Sequence, residues 1–325
     1  MENDAKLLSN VVNTQIDIHS KYGGVVPELA SRKHLEDIHP VVSQALTRAD
    51  KSLDEIDLIA VTQGPGLIGS LLVGLSFAKA LSLVKHIPYV GVDHMAGHLL
   101  SVFLGTEKPR FPYIALVASG GHSSIFRVTA PDDYILLGRT RDDAAGEAFD
   151  KVAKILGLGY PGGPIIGSLS QKGNPEAIQF PRSWLEQGSL DFSFSGIKTS
   201  VANYVKKNKV LSNAGNKNLD NQEDLMANIC ASFQEAVVDV LVEKTLTCAL
   251  HQKINTVILA GGVSANLRLR QVMEERGKKK GFDVFMPPLD FCTDNAAMVA
   301  LAGYYRRNDA MTAYDMDVYS RTIIK

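Results

Sequence analysis

The sequence predicts an α/β protein organised as two domains, and three observations carry that expectation. The chain has 325 residues, about two domains' worth as a prior. Short apolar runs of strand length alternate with longer helix-period runs along it. The two halves share a plan, strands first and then helices and strands in turn, with no short-period repeat. Hydrophobic residues make up 45% and charged residues 21%, which is enough apolar chain for a sizeable core in each half.

Residues 5–20 (AKLLSNVVNTQIDIHS) alternate imperfectly between apolar and polar and read as strand. Pro27 then opens an amphipathic helix reaching about Ala49, because proline at a helix start loses no hydrogen bond. IDLIAVTQGPG (56–66) is a short apolar strand running into a glycine turn. Leu67–His86 is a mostly apolar helix with small residues at Gly69, Ser70 and Gly74, which predicts packing on both sides. YVGVDH (89–94) is the next strand, and DHMAGHLL (93–100) follows as helix. The proline-flanked EKPRFPY (107–113) is a candidate domain boundary.

Beyond it, YIALVASGGHSSIFRV (113–128) gives two β-rich runs joined by a Ser-Gly-Gly-His turn, and YILLGRTR (134–141) gives a third strand. DDAAGEAFDKVAKILG (142–157) is a helix whose acidic first turn suits its dipole. Glycine and proline cluster at 157–167. Residues 206–224 are polar and Asn-rich and read as a surface loop. Leu225, Ile229, Phe233, Val237, Val240 and Leu241 mark one face of a long helix. INTVILAGGVSANLRLRQVME gives strand, Gly-Gly turn and helix; FDVFMPP is a last strand and TDNAAMVALAGYYRR a last helix.

Lys and Arg number 34 against 35 Asp and Glu, a net charge of −1, so any nucleic-acid contact needs a local basic patch. Lys206, Lys207, Lys209 and Lys278–Lys280 are the candidates, and they read equally as solvated faces. Cys230, Cys248 and Cys292 show no paired metal spacing; Cys230 and Cys248 read as small core residues, and so sparse a count suits a reducing cytosol. The longest apolar stretches, Leu67–Leu75 and Ile254–Ala260, are interrupted or short, so no membrane span is expected. The opening MENDAKLLSN lacks a basic-then-apolar targeting pattern.

Six short stretches are candidates for chemistry. In SGGHS (119–123) two glycines expose backbone N–H groups that can cradle phosphate; an ordinary hairpin turn would look the same. AGGVSANLR (260–268) delivers two glycines to a helix start, an anion seat, or a plain βα turn capped by Ser264. His94 and His98 are four apart and share a helix face. A metal could bind there with a third, carboxylate ligand; two capping or surface histidines fit the spacing as well. Met95, Ala96 and Gly97 lie between them and supply no base, unlike the zinc-peptidase HExxH pattern. In Cys292-Thr293-Asp294-Asn295, Asp294 or Thr293 is an N-cap candidate, and Asp294 could instead complete a metal site. Asp150 reads as a solvated helix position spaced i,i+4 from Lys154, and Phe192-Ser193-Phe194-Ser195-Gly196 as aromatic packing.

Taken together, HMAGH, SGGHS, DDAAGEAFDK, YPGGP, DFSFSGIKT, GGVSAN and CTDNAAM, in this order over about residues 7–306, closely resemble the tRNA threonylcarbamoyladenosine-modifying family of the bacterial TsaD type. The resemblance implies an actin/Hsp70/sugar-kinase-like (ASKHA) fold, two related α/β domains around a nucleotide cleft. It implies domains at 1–110, completed by 293–325, and at 111–292. It implies transfer of a threonylcarbamoyl group from threonylcarbamoyl-adenylate to N6 of the adenosine 3′ of the anticodon, with release of AMP. His94, His98 and Asp294 then look like ligands of one divalent metal, usually iron and sometimes zinc. Val117, Ala118, Ser119, Gly120, Gly121, Asp150, Gly163, Gly167 and Asn266 look like the adenylate-binding set. The implied partners are tRNA, a paralogous TsaB-type subunit, a TsaE-type ATPase and a separate enzyme that makes the adenylate, in the cytoplasm and with no membrane. The family's opening strand and its ETSCD-like turn are missing, which predicts that Met1 is internal to a longer reading frame. Three further readings differ in class: a metallopeptidase under the family's older glycoprotease label, an ATP-dependent kinase of the same fold, and a non-catalytic scaffold.

Overall fold

The computed structural model describes residues 1–3, 6–186, 188–208, 210 and 219–321, the side chains of 219–221 excepted. The chain forms two compact units. Residues 1–109, 128–135 and 287–325 make the first, and 110–127 with 136–286 make the second.

In the first unit, residues 7–15 form no strand and α1 (Ile16–Ser20) is a short helix, so the strand expected over 5–20 is corrected; residue 5 lies outside the described residues. The alternation there was imperfect, and a strand needs a ladder partner that these residues do not find. The buried His19 ring fixes the segment instead, accepting from the Val26 N–H and meeting Gln15 Oε1. Helix α2 (Pro27–Ala49) starts with proline in its first turn and ends on Asp50 in the left-handed region. Strand β1 (Ile59–Gly64), helix α3 (Ile68–Lys85) and strand β2 (Tyr89–Asp93) form a βαβ crossover, with β1 and β2 parallel. Helix α3 buries Leu75, Ala78 and Ser82, but Leu72, Leu83 and Val84 on it are exposed. Packing on both sides is therefore corrected: one face meets β1 and α2, and the other stays open. Helix α3 is also long and apolar enough to span a membrane by length and composition, and so is Gln222–Gln252, which is mostly buried. Length and composition therefore do not exclude a span, contrary to the sequence expectation. Strand β2 leads directly into α4 (His94–Leu100).

The second unit holds a five-stranded sheet ordered β5-β4-β3-β6-β7. Its strands β3 (Tyr113–Ala118), β4 (Ser123–Ala130) and β5 (Asp133–Arg139) match the three β-rich runs, and the tip of the β4–β5 hairpin clusters with the first unit. Helices α5 (Ala145–Ile155), α6 (Gly162–Ser170) and α7 (Ser195–Lys207) follow, then the long α8 (Leu219–Gln252). Residues 219–224 are thus helix rather than loop, while 209 and 211–218 lie outside the described residues. Strand β6 (Thr256–Ala260) pairs in parallel with β3, matching Val117 to Ala260, and after α9 (Leu267–Lys279) β7 (Asp283–Phe285) pairs in parallel with β6. Helix α10 (Ala296–Tyr305) returns the chain to the first unit.

The core of the second unit sits under α8, where Ile229, Phe233, Val237 and Leu241 are buried with Phe149 against the Phe233 ring at 5.1 Å. Each such side chain contributes about 1.5–3 kcal/mol relative to exposure. Cys230 and Cys248 are fully buried there, and burial pushes their thiols up to about 12 and about 11. They are packing residues, as the sequence suggested. Phe192 and Phe194 are buried and stacked, while Ser193 and Ser195 between and beside them donate to the Asp142 carboxylate. Asp142 also accepts from the Phe194 and Ser195 N–H groups, so it closes the start of α7 rather than forming the first turn of α5.

Candidate metal centre and nucleotide pocket

The first unit gathers three ligand-type side chains. Asp93 ends β2 and caps α4, its Oδ1 accepting from the Met95 and Ala96 N–H groups at 2.8 and 3.4 Å. That cap fixes the helix start, and the i,i+4 spacing puts His94 and His98 on one face with ring centroids 4.6 Å apart. The third group comes from a remote part of the chain. Asn295, not Asp294 or Thr293, caps α10, its Oδ1 accepting from the Met298 N–H at 2.9 Å. Both N-cap candidates from the sequence are corrected here, and the shift by one residue frees the Asp294 carboxylate.

Asp294 Oδ1 lies 3.4 Å from His94 Nε2 and 3.1 Å from His98 Nε2. One ligand atom from each residue falls within 4.8 Å of the other two. His98 is fully buried, whereas the Asp294 side chain is 75% exposed, so the centre opens on the carboxylate side. Burial drives the His98 imidazole below its ordinary value; His94 meets the same penalty but its hydrogen bond to Asp294 raises it overall. The Asp294 carboxyl feels the surrounding protein as a raising influence, which the two imidazole hydrogen bonds outweigh to hold it far below the carboxylate range. The two nitrogens and one carboxylate oxygen fit a divalent transition metal. His98 Nδ1 is buried with no partner among the described residues, so packing rather than a second hydrogen bond orients that ring.

The second unit holds a cavity of about 910 Å3. Gly120, Asp150, Gly163, Gly167 and Asn266 from the sequence-predicted set line it. Val117 and Ala118 do not; they are the buried end of β3. Ser119 and Gly121 shape the turn, Ser119 Oγ accepting from the His122 N–H at 3.1 Å and its carbonyl from the Gly146 N–H at 3.2 Å. The helix starts of α5, α6 and α9 contribute Gly146, Gly163 and Leu267 to the wall, so helix dipoles favour an anion there, with the Gly146 N–H itself taken by the Ser119 carbonyl. Two glycines make the close approach possible. A Cβ on Gly146 would stand 2.6 Å from the Ser119 carbonyl oxygen, and one on Gly261, at φ +83°, would stand 2.4 Å from that of Ala118.

Asp150 is not a solvated helix position, and no bond to Lys154 forms its environment. Its Oδ1 accepts from the Gly162 N–H at 2.7 Å, tying α5 to the start of α6. Burial raises its carboxyl above the ordinary value, against the lowering effect of that hydrogen bond. Ser264 does not cap α9; Asn266 does, its Oδ1 accepting from the Leu269 N–H at 3.0 Å. Sequence reasoning missed Gln234, Gln271 and Arg268 in the wall. Gln234 sits on α8 between core positions, and nothing in its neighbours' spacing distinguishes it from packing.

Residues 6–301 match the family described as TsaD, tRNA N6-adenosine threonylcarbamoyltransferase. The protein of that name from Desulfotalea psychrophila is 58% identical over 316 residues, 97% of this chain and 90% of its own length. Those from Desulforapulum autotrophicum and Clostridioides difficile are 51% and 48% identical, covering 97% and 98% of this chain and 92% and 91% of theirs. Among solved structures, full-length HypF in its phosphate- and nucleotide-bound form superposes with a TM-score of 0.60 at 15% identity, over 84% of this chain and 50% of that one. At that identity the likeness concerns the fold alone.

Proposed function

The chain belongs to the family of TsaD tRNA N6-adenosine threonylcarbamoyltransferases, and from that premise we propose which of its residues serve the reaction. The enzyme transfers the threonylcarbamoyl group of threonylcarbamoyl-adenylate to N6 of the adenosine 3′ of the anticodon, in tRNAs reading codons that begin with adenine, and releases AMP. The relatives named above carry neither a peptidase nor a scaffold description. The match across residues 6–301 is the observation that carries this reading.

In the transfer the N6 lone pair forms a bond to the carbamoyl carbon, the carbon–oxygen bond to the phosphate breaks, the phosphate leaves with that electron pair as AMP, and N6 gives up a proton. The leaving group is good and the amine is a poor nucleophile, so positioning is the main task. The glycine turn at Gly120 and the helix start at Gly163 hold the phosphate end of the adenylate, and the Asp150 carboxylate accepts from a ribose hydroxyl. His94, His98 and Asp294 hold the metal, Fe2+ in preference to Zn2+. When bound, it supplies Lewis acidity and a template for the carbamoyl oxygen. Asp93 keeps the two imidazoles aligned through its cap on α4.

The actin/Hsp70/sugar-kinase-like (ASKHA) fold is supported by the second unit, where, counting from β3, the strands stand in the order 3-2-1-4-5; the first unit has the two-stranded pair β1-β2 among the described residues. The tRNA meets a local basic surface. Lys206 and Lys207 at the end of α7 and Lys278 and Lys279 at the end of α9 are exposed, Lys280 is paired with Glu243 at 2.8 Å, and Lys209 lies outside the described residues. The partners are a TsaB-type paralogue and a TsaE-type ATPase, and the setting is the cytoplasm. The test supplies threonylcarbamoyl-adenylate and unmodified tRNA to metal-loaded protein with those partners. The tRNA is then digested and searched for the modified nucleoside; its absence overturns the reading.

A further inference from the structure

The polarity of one wall of the second unit's cavity is set by a backbone group. The Leu269 N–H donates to Asn266 Oδ1. A backbone N–H can only donate, so the oxygen of this amide must face it and Nδ2 must face the other way. Nδ2 carries only hydrogens, so Gln234 meets it with Oε1, 2.7 Å away. The last group in this forced sequence is Gln234 Nε2. Gln234 is 6% exposed and lines the cavity, and its side chain makes no other hydrogen bond among the described residues. Gly167 faces the pair: a Cβ there would stand in ordinary contact, 3.7 Å from both Asn266 Nδ2 and Gln234 Oε1. Of the two amide nitrogens, Gln234 Nε2 is the one without a protein partner among the described residues, so at this point the wall presents an N–H donor.

We propose that Gln234 is a specificity-determining residue of the nucleotide pocket, its Nε2 donating to a ring nitrogen of the adenine base. This rests on the reading that the cavity holds the adenylate. The rest of the wall divides the ligand accordingly. Helix-start N–H groups suit the phosphate, and the acceptor-only Asp150 carboxylate suits ribose hydroxyls. The unpartnered Nε2 donor suits an acceptor nitrogen of the base, because each amide oxygen already holds one protein N–H. A buried donor left without an acceptor is costly, so a base lacking the right nitrogen is rejected.

The experiment titrates AMP and its 1-deaza, 3-deaza and 7-deaza analogues into the wild-type protein, Gln234→Glu and Gln234→Leu by calorimetry. Glu at 234 still accepts from Asn266 Nδ2 but supplies no donor, and Leu supplies neither. Wild type is expected to bind one analogue about tenfold more weakly than AMP, the worth of one buried hydrogen bond. Gln234→Glu should bind AMP about tenfold more weakly than wild type and no longer distinguish that analogue. Gln234→Leu should also lose the discrimination, and melting temperatures report whether each variant is folded. If wild type binds AMP but treats all three analogues alike, or if the discrimination survives in both variants, the proposal is overturned while the pocket reading stands. If wild type does not bind AMP, the pocket reading falls and takes the proposal with it.

Discussion

The candidate metal centre and the nucleotide pocket are built from opposite materials. The centre in the first unit is three side chains, two of them on the short helix that Asp93 caps. The pocket in the second unit depends on glycine backbone at helix starts, set among side chains that include the Asp150 carboxylate, the locked Asn266–Gln234 pair, Arg268 and Gln271. A centre made of side chains should fail when an atom is removed. A pocket that depends on glycine backbone should fail when an atom is added.

The largest effect tests the first half of that contrast. His98→Ala removes one of three ligands and should lower metal affinity at least about 100-fold, with activity falling alongside. Elemental analysis of the purified variant checks it, and full metal occupancy would remove His98 from the ligand set. Circular dichroism should still show a folded protein, since α4 keeps its Asp93 cap.

Next, Gly146→Ala adds one methyl where rigid backbone already stands, 2.6 Å from the Ser119 oxygen and 2.8 Å from the Gly120 Cα. It should cost about 1–3 kcal/mol of stability and weaken AMP binding about tenfold or more. Gly120→Ala is the control, because a Cβ there meets nothing within 4 Å. It should leave the melting temperature unchanged and weaken only AMP binding. Equal melting curves for the two variants would break the contrast.

Asn295→Ala probes the support of the centre rather than its ligands. Losing the cap on α10 should cost about 1 kcal/mol in chemical denaturation and loosen metal binding only a few-fold. A loss of metal as complete as in His98→Ala would mean that the cap, not the ligand set, holds the centre together.

The smallest effect concerns Asp150. Its folded carboxyl is raised above the ordinary value, so the folded state holds its proton more tightly than the unfolded chain does. Its contribution to stability therefore falls as pH rises through the window between the ordinary and the raised value. Asp150→Asn keeps an oxygen for the Gly162 N–H and should flatten that segment of the melting-temperature profile, with a slightly higher melting temperature at neutral pH. An unchanged profile would mean that burial does not govern this carboxyl.

The sequence by itself determined most of the elements and their order. Pro27 marked a helix start, the apolar runs at 59–64, 89–93, 113–118 and 256–260 became strands, and the i,i+4 spacing put His94 and His98 on one face. These features are local: propensity, period and capping act within a few residues, so a linear reading can find them. It failed at 7–20, where ladder partners and the His19 ring decide the backbone, and at 219–224, where α8 starts inside a polar stretch.

What only the tertiary structure decided lies in contacts between remote segments. Asp294 reaches histidines 196 and 200 positions away because Asn295 takes the cap. Asp150 leaves the solvent role for the Gly162 amide. Gln234 acquires a fixed polarity from the backbone of Leu269, through Asn266. A side chain's local pattern records its helix face, but its hydrogen-bond partner is chosen by whichever chain packs opposite. That choice depends on distances that close only when the core does.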